Sequence, residues 1–352
     1  GFAGGGSAGV GGAVSIITSV NDVQAYIGKG AVVETNGSVA ILAEDHLVLV
    51  MLVGSGAGGG SAGVGSSVGV STIINSIKAY IGQGAKVTAL GNGDAVSFYT
   101  GETGKKKSSG RGILIGAYST EDIVSVVVGG AGGGSAGVSV TVSVNVINTN
   151  TIAYIGSGAI INENNSGANA NQEVRIVSVS DTMLIASAIA GAGAGSAGVG
   201  GSNDTGVITK TTKAYIDDGA NVKAKKNILI SAVTKDMHVS TVVGGAGGGS
   251  AGVAGSISVS VINNLTEACT GSNVILLSEG NAKVFAANYT VMVLTAGSGA
   301  GGGAAGVGGS IAVAVFESTT KAYLGNGTIA DIKGLLEIIA DTTEDVVATA
   351  IG

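Results

Sequence analysis

Between Val138 and Val146 every second residue is valine, with Ser139, Thr141, Ser143 and Asn145 in the gaps. Strict alternation of apolar and polar residues is the period of a β-strand, and it predicts a strand whose valines turn inward. Other apolar runs punctuate the chain: Val124 to Val128, Ile228-Leu229-Ile230, and shorter pieces such as Lys86 to Ala89 and Asn221 to Ala224. Asparagines lie between the runs, at Asn21, Asn75, Asn148, Asn150, Asn263 and Asn264. Asparagine tolerates the left-handed conformation, so these positions predict sharp turns.

The runs recur. The phrase Ser-Ala-Gly begins at Ser7, Ser61, Ser135, Ser196 and Ser250, and Ala304 takes the serine position in a sixth copy, at spacings of 54, 74, 61, 54 and 54. Self-similarity at a fixed period is the signature of a repeat architecture. The predicted fold is all-β: a right-handed parallel β-helix, or β-solenoid, of six glycine-rich repeats over approximately 1–53, 54–128, 129–190, 191–243, 244–296 and 297–352. The two long spacings place insertions at Leu90 to Gly112 and Asn164 to Gln172. Both fall just after the short strand, at one corner, where a solenoid can bulge outward.

Each unit then carries a phrase like Lys-Ala-Tyr-Ile-Gly-x-Gly-Ala, with tyrosines at Tyr26, Tyr80, Tyr154, Tyr215 and Tyr323 and Cys269 in the fifth copy. The strand and turn count predicts two coils per repeat, hence about twelve coils and a rod about 55–60 Å long at the ~4.8 Å strand spacing. That arrangement separates successive tyrosines by about 10 Å, too far to stack, so each is expected to fill a corner of the core. The glycine phrase weakens a strand. Close approach of opposite walls is the favoured compensation; a smooth outer face for a second rod is the alternative.

Composition narrows the class. Of 352 residues 65 are glycine and none is proline, and only 11% are charged. The absence of proline suits an all-ladder protein. Without a collagen period the glycine does not signal a triple helix. A net charge of −6 gives no basic surface for nucleic acid. Uncharged stretches such as Ile123 to Asn162 are too rich in glycine and β-branched residues for a membrane helix. An aromatic content of 3% lacks the girdles of a membrane β-barrel. The chain begins and stops within the repeat pattern, as expected of an excerpt of a longer protein or of a unit assembling end to end.

No constellation of residues points to catalysis, a cofactor or a metal. His46 and His238 are expected to be polar corner residues far apart along the rod. Cys269 reads as a small apolar substitute for tyrosine. Asp217-Asp218 and Asn203-Asp204 are isolated acidic pairs, unlike the aspartate-bearing repeats that take calcium at every turn. Lys105, Lys106, Lys107 and Arg111 form the one dense positive cluster, a candidate interaction loop for an anionic glycan or another subunit.

The glycine phrase, the alternating valine strand and Lys-Ala-Tyr-Ile-Gly-x-Gly-Ala together resemble, over the whole chain, the repeats of very large secreted bacterial adhesins. These are the filamentous-haemagglutinin-like proteins, especially those similar to the fusobacterial leukotoxin. The resemblance implies an extracellular or cell-surface location and a structural or adhesive shaft without enzymatic activity, meeting neighbouring copies or a surface receptor. The alternative expectation is a self-assembling fibre or sheath subunit joined through end coils and glycine faces.

Overall fold

The computed structural model describes residues 1–101 and 104–352, and side chains outside 99–106. The chain winds into a parallel β-solenoid with three sheets. A front sheet stacks the strands Phe2–Gly5, Val39–Gly59, Gly104–Gly133, Gln172–Ala194, Ile228–Gly248, Ala282–Gly302 and Leu336–Ile351. A back sheet stacks Ala8–Ile27, Ala62–Ile81, Ala136–Ile155, Ala197–Ile216, Ala251–Thr270 and Ala305–Tyr323. A narrow end sheet stacks Val32–Thr35, Lys86–Ala89, Ile160–Ile161, Asn221–Ala224, Ile275–Ser278 and Ile329–Ile332.

Register fixes the coil. Ala8 pairs with Ala62, Ala62 with Ala136, Ala136 with Ala197, Ala197 with Ala251 and Ala251 with Ala305. One repeat is therefore one coil, and the expected two coils per repeat are corrected. At about 4.8 Å per strand the six-strand back sheet is about 30 Å deep, half the predicted rod length. Each coil is broad instead: strands of 20 and 21 residues run about 65–70 Å across.

The miscount has a physical cause. The asparagines do not turn the chain; all lie inside the long back strands. Asn75 and Asn264 point inward and are buried, as are many other polar residues. Glu121 is fully buried and accepts hydrogen bonds from Asn75 Nδ2 at 3.0 Å, Thr149 Oγ1 at 3.1 Å, Thr182 Oγ1 at 2.6 Å and Ser119 Oγ. Two coils further on, Lys210 Nζ pairs with Asp236 Oδ1 at 2.6 Å, both side chains fully buried, and Asn264 Nδ2 donates to Asp236 Oδ2 at 2.7 Å. A buried charge persists only when paired or hydrogen-bonded. These polar side chains form an internal belt across the middle of the sandwich, where the sequence suggests a corner.

The belt divides the apolar core. On its end-sheet side Ile77, Ile81, Ile155, Ile216 and their neighbours pack against Ile113, Ile115, Ile176 and Ile230. On its other side a smaller cluster holds Ile73, Ile147, Ile208 and Ile262 against Leu49, Ile123, Leu184 and Met292.

The alternating valines are also reversed from expectation. Ser139, Thr141, Ser143 and Asn145 are fully buried, whereas Val138, Val142, Val144 and Val146 are only half-buried and Val140 is exposed. Opposite coils do the same: Val128, Ile189 and Val243 stand outward on the front sheet. Inward serine and threonine are small enough for a thin interior, and several bond across it, as Ser240 Oγ to Asp204 Oδ2 at 2.5 Å.

The glycine phrase closes the thin edge. A Cβ on Gly63 would lie 2.2 Å from Gly132 O, and one on Gly198 would lie 2.4 Å from Gly247 O. The front and back walls touch there, as the favoured reading of the phrase requires. The partner glycines, such as Gly193, Gly247 and Gly301, face outward into open space. The Gly-Ser turn stacks on itself through backbone bonds, Ser135 N to Ser61 O at 2.8 Å and Ser250 N to Ser196 O at 2.9 Å. At the other end of the back strand, each coil turns on one left-handed residue in the Ile-Gly-x-Gly phrase. It is glycine in five coils and Asn273, at φ 56°, in the sixth.

Both insertions leave at the corner between end and front sheets, as expected. The first forms a hairpin: Val96–Gly101 runs antiparallel to the opening residues of Gly104–Gly133. Gly112, at φ 103°, redirects the chain from hairpin to coil.

Candidate functional site

The hairpin builds one local site. Phe98 is buried on the outer surface of the front sheet against Leu114, Tyr118, Val177 and Val179. Beside it opens a cleft lined by Glu173, Arg175, Lys283 and Glu337, with Ser108 and Asn281. Arg175 Nε pairs with Glu173 Oε1 at 2.9 Å, and its guanidinium lies 5.0 Å from the Phe98 ring centre. Arg175, Leu229, Lys283 and Glu337 occupy one register column. Along the column two cations, Arg175 and Lys283, are followed by the carboxylate of Glu337.

The predicted interaction loop lies at this hairpin. Lys105 and Lys106 have side chains outside the described residues. Lys107 is exposed and pairs in the hairpin opposite Tyr99. Arg111 sits at the hairpin base, where its Nη1 donates to the carbonyls of Gly91, at 3.4 Å, and Gly93.

A second site lies along the end-sheet margin of the back sheet. Tyr26, Tyr80, Tyr154 and Tyr215 stack at centroid distances of 4.9, 4.7 and 4.9 Å, with planes within 6° of parallel. The one-coil repeat sets that spacing, and it corrects the expectation that the tyrosines are too distant to stack. They do not fill the core either. Ala79 and Ile81, on either side of Tyr80, point inward, and Tyr80 itself lies on the outer face. Burial against neighbouring rings raises the phenol of Tyr154 above its ordinary value.

Cys269 interrupts this ladder, in register between Tyr215 and Tyr323. Burial pushes its thiol up to about 11, so it is a poor nucleophile at neutral pH. Tyr323 Oη donates to Glu267 Oε1 at 2.8 Å, and Glu267 pairs with Lys213 Nζ at 2.8 Å. Burial acts to raise the Glu267 carboxyl, but these two partners outweigh it and hold it below its ordinary value.

The histidines are not corner residues. His46 is exposed on the front sheet, with Nδ1 2.6 Å from Thr120 Oγ1. His238 points inward, fully buried, with Nδ1 2.6 Å from Ser260 Oγ, and Gly206 opposite leaves room for its ring. Burial lowers it to about 4. Of the acidic pairs, Asp204 is buried, whereas Asp217 and Asp218 cap the turn after the back strand, Asp218 Oδ1 accepting from Ser272 N at 2.6 Å. Among the described residues no group of three or more His, Cys, Asp or Glu side chains could hold a metal. None forms a helix long and apolar enough to cross a membrane.

The tyrosine ladder was visible in the sequence as a motif, but its stacking was hidden by the coil count. The hairpin cleft carried no local signal, because its charged residues come from coils more than 50 residues apart and meet only through register. No family model, no curated protein and no solved structure matches this chain.

Proposed function

We propose that this chain is a shaft segment of a large secreted bacterial surface protein, with a structural and adhesive role and no catalysis. The observation that carries the reading is the unbroken register of the back sheet. Six strands align residue for residue from Ala8 to Tyr323 without a bulge. Stability in such an array adds from neighbour to neighbour. A rod built this way extends by adding coils, which suits a spacer better than an enzyme, whose site is singular. The resemblance of the repeat phrases to those of large bacterial adhesins supports the same location outside the cell.

Immunogold labelling of intact source cells with antibodies to this chain tests the reading. Gold held away from the cell surface on fibres is the expected result. Label that appears only after the cells are permeabilised would overturn it.

A further inference from the structure

We infer that the outer face of the back sheet is a self-association surface on which a second copy of this chain packs face to face. This goes beyond the shaft reading and does not depend on it.

The face is apolar in a repeated pattern. Nearest the glycine turn every coil places a valine outward: Val10, Val64, Val138, Val199, Val253 and Val307. Val10 is 72% exposed, Val199 41% and Val307 59%. Two residues further along lies a column of small residues, Gly12, Ser66, Gly201, Gly255 and Gly309, broken in the third coil by Val140. Branched side chains rise again beyond it, at Val14, Val68, Val142, Ile257 and Ile311. The result is a groove between two ridges, running along the solenoid axis over the last three coils.

Nothing on this face resists burial. The five outward positions next to the glycine turn contain no Asp, Glu, Lys or Arg in any of the six coils. The polar notch in the fourth coil satisfies itself, Asn203 Nδ2 donating to Thr205 Oγ1 at 3.3 Å. Charges begin only toward the tyrosine ladder, at Asp22, Lys78, Lys213, Glu267 and Glu317.

The area suffices for a stable pair. Six strands at about 4.8 Å, by five alternate positions at about 6.7 Å, give about 960 Å². A standard specific interface needs about 800 Å² from each partner. A second copy is the occupant that fits, because its ridges and groove have the same axial repeat. Turned about a two-fold axis, the valine ridge of one copy enters the small-residue groove of the other, an isologous contact. The front sheet is a poorer candidate: its valine band is flanked by His46, Asp122, Asp181 and Lys235.

Sedimentation of the full chain, at concentrations rising to about 100 µM, tests the inference. The expected result is a dimer that Val142→Lys and Val259→Lys each convert to monomer, while Val126→Lys on the front sheet leaves the dimer intact. Circular dichroism melts must show all three variants folded, since these side chains face outward. A wild-type chain that stays monomeric throughout would overturn the inference, as would a dimer indifferent to the back-sheet lysines. A monomer that instead co-sediments with phosphatidylcholine vesicles through the same valines would assign the face to lipid and also overturn it.

Discussion

Gly198 and Gly247 face each other at the thin edge, and alanine at the two positions should have opposite effects. A Cβ on Gly198 would stand 2.4 Å from Gly247 O, about 1 Å inside ordinary contact. The backbone cannot swing away, because Gly198 is held in register between Gly137 and Gly252. The walls must therefore part over at least one coil, at a cost of about 2–3 kcal/mol, typical of overpacking. Gly247 differs: its Cβ would meet nothing within 4 Å, and its φ is not left-handed. Alanine there restricts the unfolded chain and should stabilise by about 0.4–1 kcal/mol. The two variants should differ by about 3 kcal/mol, a gap on the order of 1 M in the urea midpoint followed by circular dichroism. Midpoints are the quantity to compare, because a repeat array can unfold by steps. Equal midpoints, or a Gly247→Ala loss as large as that of Gly198→Ala, would show that the walls do not touch there.

Three further tests probe the interior and the ladder. Lys210→Met strands Asp236 in the core and should cost about 3–5 kcal/mol by urea titration, whereas Lys210→Met with Asp236→Leu should cost less than that single change; equal losses would argue against a buried pair. His238 is lowered to about 4, so between that value and the ordinary 6.5 the unfolded chain holds a proton that the folded one lacks. Its contribution therefore makes stability fall as pH drops through about 6.5, by about 3 kcal/mol at most, and level off near 4. Asp204, raised by burial, works in the opposite direction, losing stability as pH rises from the ordinary carboxylate value through its own. His238→Gln should therefore flatten the acid side of the urea-midpoint profile relative to wild type, and an unchanged profile would remove the residue from the account. Tyr154→Ala deletes two stacking contacts and should cost about 1–3 kcal/mol, while Cys269→Tyr should raise the midpoint by extending the ladder; a lowered midpoint would mean that Tyr323, held toward the Cys269 coil by its bond to Glu267, obstructs the added ring.

The solenoid was legible because its period is written directly in Ser7, Ser61, Ser135, Ser196 and Ser250, and the insertions announced their corner by lengthening two spacings. The inside and outside of the strands were not. Alternation gives the period of a strand but not which face is buried. The usual rule turns Val140 inward and Thr141 outward, and here the reverse holds because Thr141 must fit a narrow interior. Asn75 and Asn264 have the composition of a turn but answer to Glu121 and Asp236 on the opposite wall, partners that sequence alone does not pair with them.

The corner between end and front sheets accepts 20 extra residues in one coil and 7 in another, yet the strands on either side keep their partners in the coils above and below. Length at that edge is decoupled from winding. The edge therefore behaves as a row of sockets set one strand spacing apart, about 4.8 Å. Peptides grafted into successive sockets would stand in a line at chosen multiples of that interval. Their mutual distance would be set by the choice of coil and not by any linker.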